Sequence, residues 1–231
     1  MTFPATLYPL TFEIGGAPRA ANIDTLIVAG WTGRDLSAVE QHISELAALG
    51  VQRPHAIPSF YRVGANLLTQ AGTIDVVGSH SSGEVEFVLV SLPNGLHVGV
   101  GSDHTDRSVE AYNVTVSKQM CPKPLSRELW TFADVAEHWD ELVLRSWVTR
   151  NGARALYQEG SVGKMLAATD LVARYLGRRG VLPVGMVMYG GTLTAIGTIC
   201  GGECFEIELH DPVRDRRLQH SYLARSLEFA D

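Results

Sequence analysis

The segment GEVEFVLVSLPNGLHVGVGSD, residues 83–103, leaves the chain few choices. Two runs of β-branched, aromatic and aliphatic residues flank Asn94-Gly95, a dipeptide that favours a tight hairpin turn. Phe87, Val88, Leu89 and Val90 are core-strand material. The segment also carries charge. Glu84 and Glu86 stand two residues apart, which on a strand places both carboxylates on one face, about 6.6 Å apart. At an effective dielectric of about 20, two such charges repel by ~2.5 kcal/mol. Either that face is solvated, or something cationic sits between them.

The rest of the chain reads as further strands around two helices. DTLIVAG (24–30) is a buried strand, and TIDVVG, DELVLRSWV, NGARALYQEG, VGMVMYGG, CFEIELHD and RRLQHSYLA follow as others. DLSAVEQHISELAALG (35–50) predicts a helix with apolar residues at 36, 39, 43 and 46, a Ser37–Glu40 capping box and Gly50 as its stop. TDLVARYLGRRG (169–180) predicts a second, capped by Thr169 or Asp170 and closed by Gly180. FADVAEHW suggests a short one, and YNVTVS, before Lys118, has a β-like composition. No repeat, linker or boundary interrupts the series. The expectation is one α+β domain over residues 1–231, with residues 1–23 as an N-terminal strand or extension.

A net charge of −6 and the lack of a basic, aromatic-interleaved stripe argue against a nucleic-acid partner. No apolar run approaches the ~20 residues of a membrane span, and the N-terminus lacks the pattern of a secretory signal. Three cysteines in 231 residues do not form a disulfide framework. A cytoplasmic protein is expected. G-x-x-x-x-G-K-[ST], H-E-x-x-H and G-x-S-x-G are all absent, so phosphate-loop, zinc-protease and serine-hydrolase chemistry have no anchor.

What remains is oxygen-rich. Beyond the second strand of the hairpin comes Asp103, so three carboxylates can converge from two paired strands, a donor set suited to Mg²⁺ or Mn²⁺. His42 and Glu45, three apart on the first helix, can pair as a general base and its orienting carboxylate, or be a plain exposed pair. Lys118, one of three lysines, can hold a substrate oxygen or snorkel at the surface.

The order of these motifs resembles the fumarylacetoacetate hydrolase superfamily from about residue 24 to 225. LIVAGWTGRDLSAVEQHISEL matches its His-x-x-Glu segment, RPHAIPSFYRV its Pro-rich stretch and aromatic strand, and GEVEFVLV its Glu-x-Glu strand. GVGSDHTDR matches the Asp-x-(Thr/Ser)-x-Arg motif, NGARALYQEGSVGKML the Gln-x-Gly substrate strand, and VMYGGTLTAIG the threonine loop. Ser102 stands where that family has Asn, Leu193 where it has Pro, and Lys118 only fifteen residues after Asp103, which marks a divergent bacterial branch. The resemblance implies a β-rich fold with few helices, its mixed sheets rolled around a metal site. It implies Glu84, Glu86 and Asp103 as ligands of Mg²⁺ or Mn²⁺, and His42, Glu45 and Lys118 as catalytic residues. Tyr61, Arg107, Gln158 and Thr192 would be substrate contacts, and the assembly a homodimer. The implied activity is hydrolysis of a C–C bond in a small 2-oxo or β-dicarbonyl acid, with His42 on a lid. Decarboxylase, isomerase and sugar-acid dehydratase chemistry are alternatives, as is a non-catalytic carboxylate-binding protein.

Overall fold

The computed structural model describes residues 6–48 and 53–228, apart from the side chains of His42, Glu45, Leu46 and Ala48. The expected hairpin is its centre: β8 (Val85–Leu92) and β9 (Gly95–Ser102) pair antiparallel from Val85↔Ser102 to Leu92↔Gly95. The turn lies one residue earlier than the Asn-Gly signal implies, on Pro93-Asn94, with Gly95 already paired.

An eight-stranded sheet grows on both sides of this hairpin. Beyond β9 come β12 (Glu128–Thr131), β1 (Tyr8–Ile14) and β2 (Ala17–Ile23). Beyond β8 come β15 (Met186–Thr192), β3 (Thr25–Gly30) and β4 (Ser59–Val63). The β1–β12 and β15–β3 pairs are parallel and their neighbours antiparallel, so the sheet is mixed. A second sheet runs β14 (Ala153–Ser161), β13 (Val143–Arg150), β16 (Cys204–Asp211), β17 (Arg216–Leu227) and β6 (Thr73–Val77). Two short ladders, β10 (Thr105–Asp106) on β7 (Ser81–Ser82) and β11 (Lys123–Pro124) on β5 (Leu68–Thr69), tie the loops after β9 to the sheets.

Every residue of β8 is buried, and the alternation of side chains divides them. Val85, Phe87 and Leu89 pack with Leu144, Ile207, Leu209 and Leu218 of the second sheet. Val88 and Val90 pack with Phe12, Leu26, Val28 and Tyr189 on the opposite face. This two-sided cover is why the run is continuous rather than alternating. On β9, Val98 and Val100 join the first cluster, while the other face offers Gly99 and Gly101. A Cβ on Gly101 would lie 2.6 Å from the Tyr189 ring and 2.7 Å from Val88, so glycine is what lets these layers close. Glu86 is paired with Gly101 and has that parity.

Four α-helices are present among the described residues: α1 (Leu36–Ala48), α2 (Arg107–Tyr112), α3 (Val114–Met120) and α4 (Ala168–Leu176). None is long and apolar enough to cross a membrane. The cap of α1 is not the expected Ser37–Glu40 box. Asp35 Oδ1 accepts from the backbone N–H groups of Ser37 and Ala38 at 3.0 and 3.1 Å, two positions earlier than the Ser pattern suggests. Its apolar stripe is narrower than expected, with Ile43 buried and Leu36 66% exposed. Helix α4 starts after Ala167 and stops at Gly177, three residues before Gly180, because Gly177 takes the left-handed conformation that ends a helix. FADVAEHW forms 3-10 turns at Phe132–Asp134 and Ala136–Glu141.

The β-like YNVTVS segment is helical. Asp106 and Asn113 each accept a backbone N–H three residues on, at 2.9 and 3.0 Å, and so start α2 and α3. Two caps and the burial of Ser117 and Lys118 against the site override the β-branched composition.

Candidate metal centre

Glu86 is the deepest of the three carboxylates. It points from β8 toward β15, and its Oε2 accepts the backbone N–H of Gly191 at 2.6 Å. That N–H is free because the β8–β15 register shifts between Tyr189 and Thr192. Gly191 has φ +99°, and a Cβ there would lie 1.8 Å from Thr32 Oγ1, so only glycine serves. Glu84 lies just before β8 on the same side. Asp103 lies just after β9, and its backbone N–H donates to the Glu84 carbonyl at 3.0 Å, closing the hairpin end. One ligand oxygen from each of Glu84, Glu86 and Asp103 lies within 4.8 Å of the others. Glu86 is 2% and Asp103 0% exposed, so of the two readings of the Glu-x-Glu strand the solvated face is excluded.

Cations surround the three. Lys118 on α3 contacts Asp103 Oδ2 through Nζ, which is also 3.8 Å from Glu84 Oε2. Lys123 on β11 is fully buried, with Nζ 3.1 Å from Asp103 Oδ1 and donating to the His104 carbonyl at 2.7 Å. Arg107 Nη1 bridges Glu84 at 3.0 Å and Glu110 at 2.8 Å. Burial by itself would push the Asp103 carboxyl up, but Lys118 and Lys123 outweigh it and bring it down to about 2. Burial and the charges of Asp103 and Glu84 hold Glu86 well above the ordinary carboxylate value. Burial also raises Glu84, despite Arg107 and Lys118. Lys118 is raised: Asp103 and Glu84 overcome its burial.

The residues fit a hard divalent cation. The donor set is all carboxylate oxygen. Asp103 Oδ1 is buried and accepts no hydrogen bond; Lys123 Nζ stands 3.1 Å away as an ion pair outside hydrogen-bond geometry, which leaves lone-pair capacity for a cation. A cation would also favour the charged form of Glu86, which the protein alone disfavours.

Of the other expected residues, Tyr61 on β4 presents its ring to Lys118, with Nζ 5.8 Å from the ring centroid. Gln158 and Thr192 bind each other at 2.8 Å. Gln158 also donates to the Leu193 carbonyl (2.6 Å) and accepts from Val85 N–H (2.9 Å) and Ser146 (3.0 Å), while Thr192 donates to the Val85 carbonyl (2.8 Å). This pair clamps the start of β8 to β14 and β15. His42 and Glu45 lie on the backbone of α1, with side chains outside the described residues.

Sequence reasoning missed Lys123, Glu110 and a buried relay behind the ligands. In that relay Ser102 Oγ accepts from Glu84 N–H at 3.1 Å and bonds Tyr222 Oη at 2.7 Å. Tyr222 in turn reaches His104 Nδ1 at 3.0 Å, and His104 Nε2 reaches Ser81 at 2.9 Å. Burial, aided by Lys123 and Arg107, lowers His104 to about 3, so the ring is neutral. Ser102, which departs from the Asn of the resemblance, is thus the bond between Glu84 and β17.

The family model described as "Protein of unknown function (DUF2848)" matches residues 29–222. No curated protein matches the chain. Solved structures with the same fold include a candidate fumarylacetoacetate isomerase/hydrolase from Oleispira antarctica, with TM-score 0.67 at 16% identity, over 93% of this chain and 99% of that one. A candidate fumarylpyruvate hydrolase from Burkholderia cenocepacia matches with TM-score 0.63 at 16% identity, over 98% and 99%. The apo form of a 2-keto-3-deoxy-D-arabinonate dehydratase matches with TM-score 0.62 at 17% identity, over 89% and 74%. The fold expected from the order of motifs is the fold observed.

Proposed function

The chain belongs to the DUF2848 family, and from that premise and the geometry of the carboxylates we propose that it is a divalent-metal-dependent hydrolase. Its substrate is a small 2-oxo or β-dicarbonyl acid, and the bond cleaved is C–C. One observation carries this reading: Glu84, Glu86 and Asp103 gather ligand oxygens within 4.8 Å, with Asp103 Oδ1 buried and, though ion-paired with Lys123 at 3.1 Å, accepting no hydrogen bond.

Glu84, Glu86 and Asp103 hold Mg²⁺ or Mn²⁺, which when bound supplies Lewis acidity toward the oxygens of an oxo-acid. Lys118 stays cationic beside them and serves as the donor to the substrate oxygen that gains charge. Arg107 holds Glu84 in place at 3.0 Å. The Gln158–Thr192 clamp fixes the β15 bulge that supplies the Gly191 N–H to Glu86. His42, oriented by Glu45, takes the proton from water as its oxygen attacks the carbonyl carbon. The C–C bonding pair leaves with the enolate, which is then protonated. Helix α1 carries this pair as a lid over the site. The names of fold neighbours include both hydrolases and a dehydratase, and they support the oxo-acid class more than any one reaction. The chain works as a homodimer in this reading.

The test is calorimetric titration with Mn²⁺ followed by turnover of acylpyruvates. His42→Ala should lower kcat by roughly 10²–10⁴-fold with Mn²⁺ affinity retained. Absence of Mn²⁺ binding would overturn the reading, and oxaloacetate decarboxylation with acylpyruvates inert would transfer it to the lyases.

A further inference from the structure

Beside the carboxylates a cleft of about 490 Å³ runs between the segment 53–61 and the α2–α3 turn. Resting on the reading above, we infer that this cleft holds the tail of the acid, and that the tail is uncharged and flat, an aryl or comparable apolar group.

Two wall residues of the cleft touch groups that surround the carboxylates. Tyr61, in its wall, faces Lys118, and Glu110, also in its wall, holds Arg107 against Glu84. An acid bound at the carboxylates therefore has this trough as the continuation of its chain. The walls mix apolar and polar groups, with apolar carbon in modest excess: Pro54, Pro58 and Ser59 on one bank, Tyr112, Asn113 and Val114 on the other.

Charge selects the class. Arg53 is already paired with Glu40 of α1 at 2.5 Å, and Glu110 with Arg107 at 2.8 Å. The other basic group of the wall, His55, is exposed at the rim. A second carboxylate on the tail would have to break the Arg53–Glu40 pair or lie desolvated against proline and aromatic carbon, beside Glu110. An uncharged ring meets neither penalty and gains contact with Tyr61 and Tyr112.

The experiment is calorimetry on the full chain loaded with Mn²⁺, using three probes: oxalate, which has no tail; benzoylpyruvate; and its para-carboxy derivative, which differs only in distal charge. Benzoylpyruvate should bind about tenfold more tightly than the carboxylated compound, the ring contact being common to both and the difference being the partial desolvation of one charge. Ala111→Trp, which builds bulk into the cleft from an exposed position, should lower the ratio of benzoylpyruvate to oxalate affinity about tenfold. Equal binding of the two benzoylpyruvates, or an unchanged ratio in the variant, with oxalate bound normally, would overturn the inference alone. Failure of oxalate to bind as well would overturn the metal-centred reading and this inference with it.

Discussion

Replacing Glu86 with Gln should make the metal-free protein more stable and leave it unable to hold the metal. The ligand oxygens of Glu84, Glu86 and Asp103 lie within 4.8 Å of one another. At an effective dielectric of about 20, each fully ionised pair at that limit repels by ~3.5 kcal/mol. The wild-type chain relieves this by keeping the Glu86 carboxyl protonated well above its ordinary range, through burial first and then the charges of Asp103 and Glu84. A carboxyl raised in the folded state contributes its full stability below the unfolded value of 4.5, and loses it as pH rises through the raised value. Each pH unit of that window removes ~1.4 kcal/mol. Gln keeps the oxygen that accepts the Gly191 N–H at 2.6 Å, and it does not titrate. Urea unfolding in chelator should therefore give equal stabilities near pH 4.5 and a gain on the order of 2 kcal/mol for Glu86→Gln at pH 8, the repulsion removed less the lost attraction to Lys118. With Mn²⁺ at a hundred times its Kd the order should reverse, since binding adds ~2.7 kcal/mol to the wild type only. A variant less stable than wild type at pH 8 in chelator, or one with undiminished Mn²⁺ affinity, would refute the reasoning.

Gly191→Ala should destabilise the protein by about 2 kcal/mol or more, because its Cβ would meet Thr32 Oγ1 at 1.8 Å and its φ is +99°. Mn²⁺ affinity should fall as well, since the N–H partner of Glu86 is displaced; a thermal melt and Mn²⁺ titration matching wild type would count against the bulge as a ligand support. Asp103 is depressed from 3.8 to about 2 by Lys118 and Lys123 against its burial, so the stability it contributes is present above pH 3.8 and lost as pH falls toward 2. Carbon NMR of its carboxyl should titrate near 2, and a midpoint near 4 would mean the lysines are not seated on it. For the lid, α1 is held by buried Ile43 and the Arg53–Glu40 pair, while Leu36 stays exposed. Hydrogen exchange over residues 36–48 should slow when oxalate and Mg²⁺ are added; strong protection without ligand, unchanged by it, would show a fixed wall.

The hairpin and its carboxylates were legible because side-chain parity needs no tertiary knowledge: Glu84, Glu86 and the residue opposite, Asp103, share a face whatever surrounds them. Whether that face was wet was not legible. The answer depends on β15, nearly a hundred residues on, lying against β8 in a register that breaks at Gly191. Lys118 was found as a residue but placed wrongly, since Val114, Thr115 and Val116 read as strand until Asp106 and Asn113 act as caps. Lys123 gave no signal at all. A lysine between two prolines is ordinarily a surface group, and only the Asp103 carboxylate and the His104 carbonyl make its burial tolerable. That hidden lysine changes how the centre works. With all groups ionised, Glu84, Glu86, Asp103 and Glu110 face Arg107, Lys118 and Lys123, leaving a single negative charge in excess. A divalent cation turns that excess into a single positive one. A centre with this balance attracts the cation weakly by itself and holds it better in company with an anion, which is the electrostatic condition for a site whose substrate is an acid.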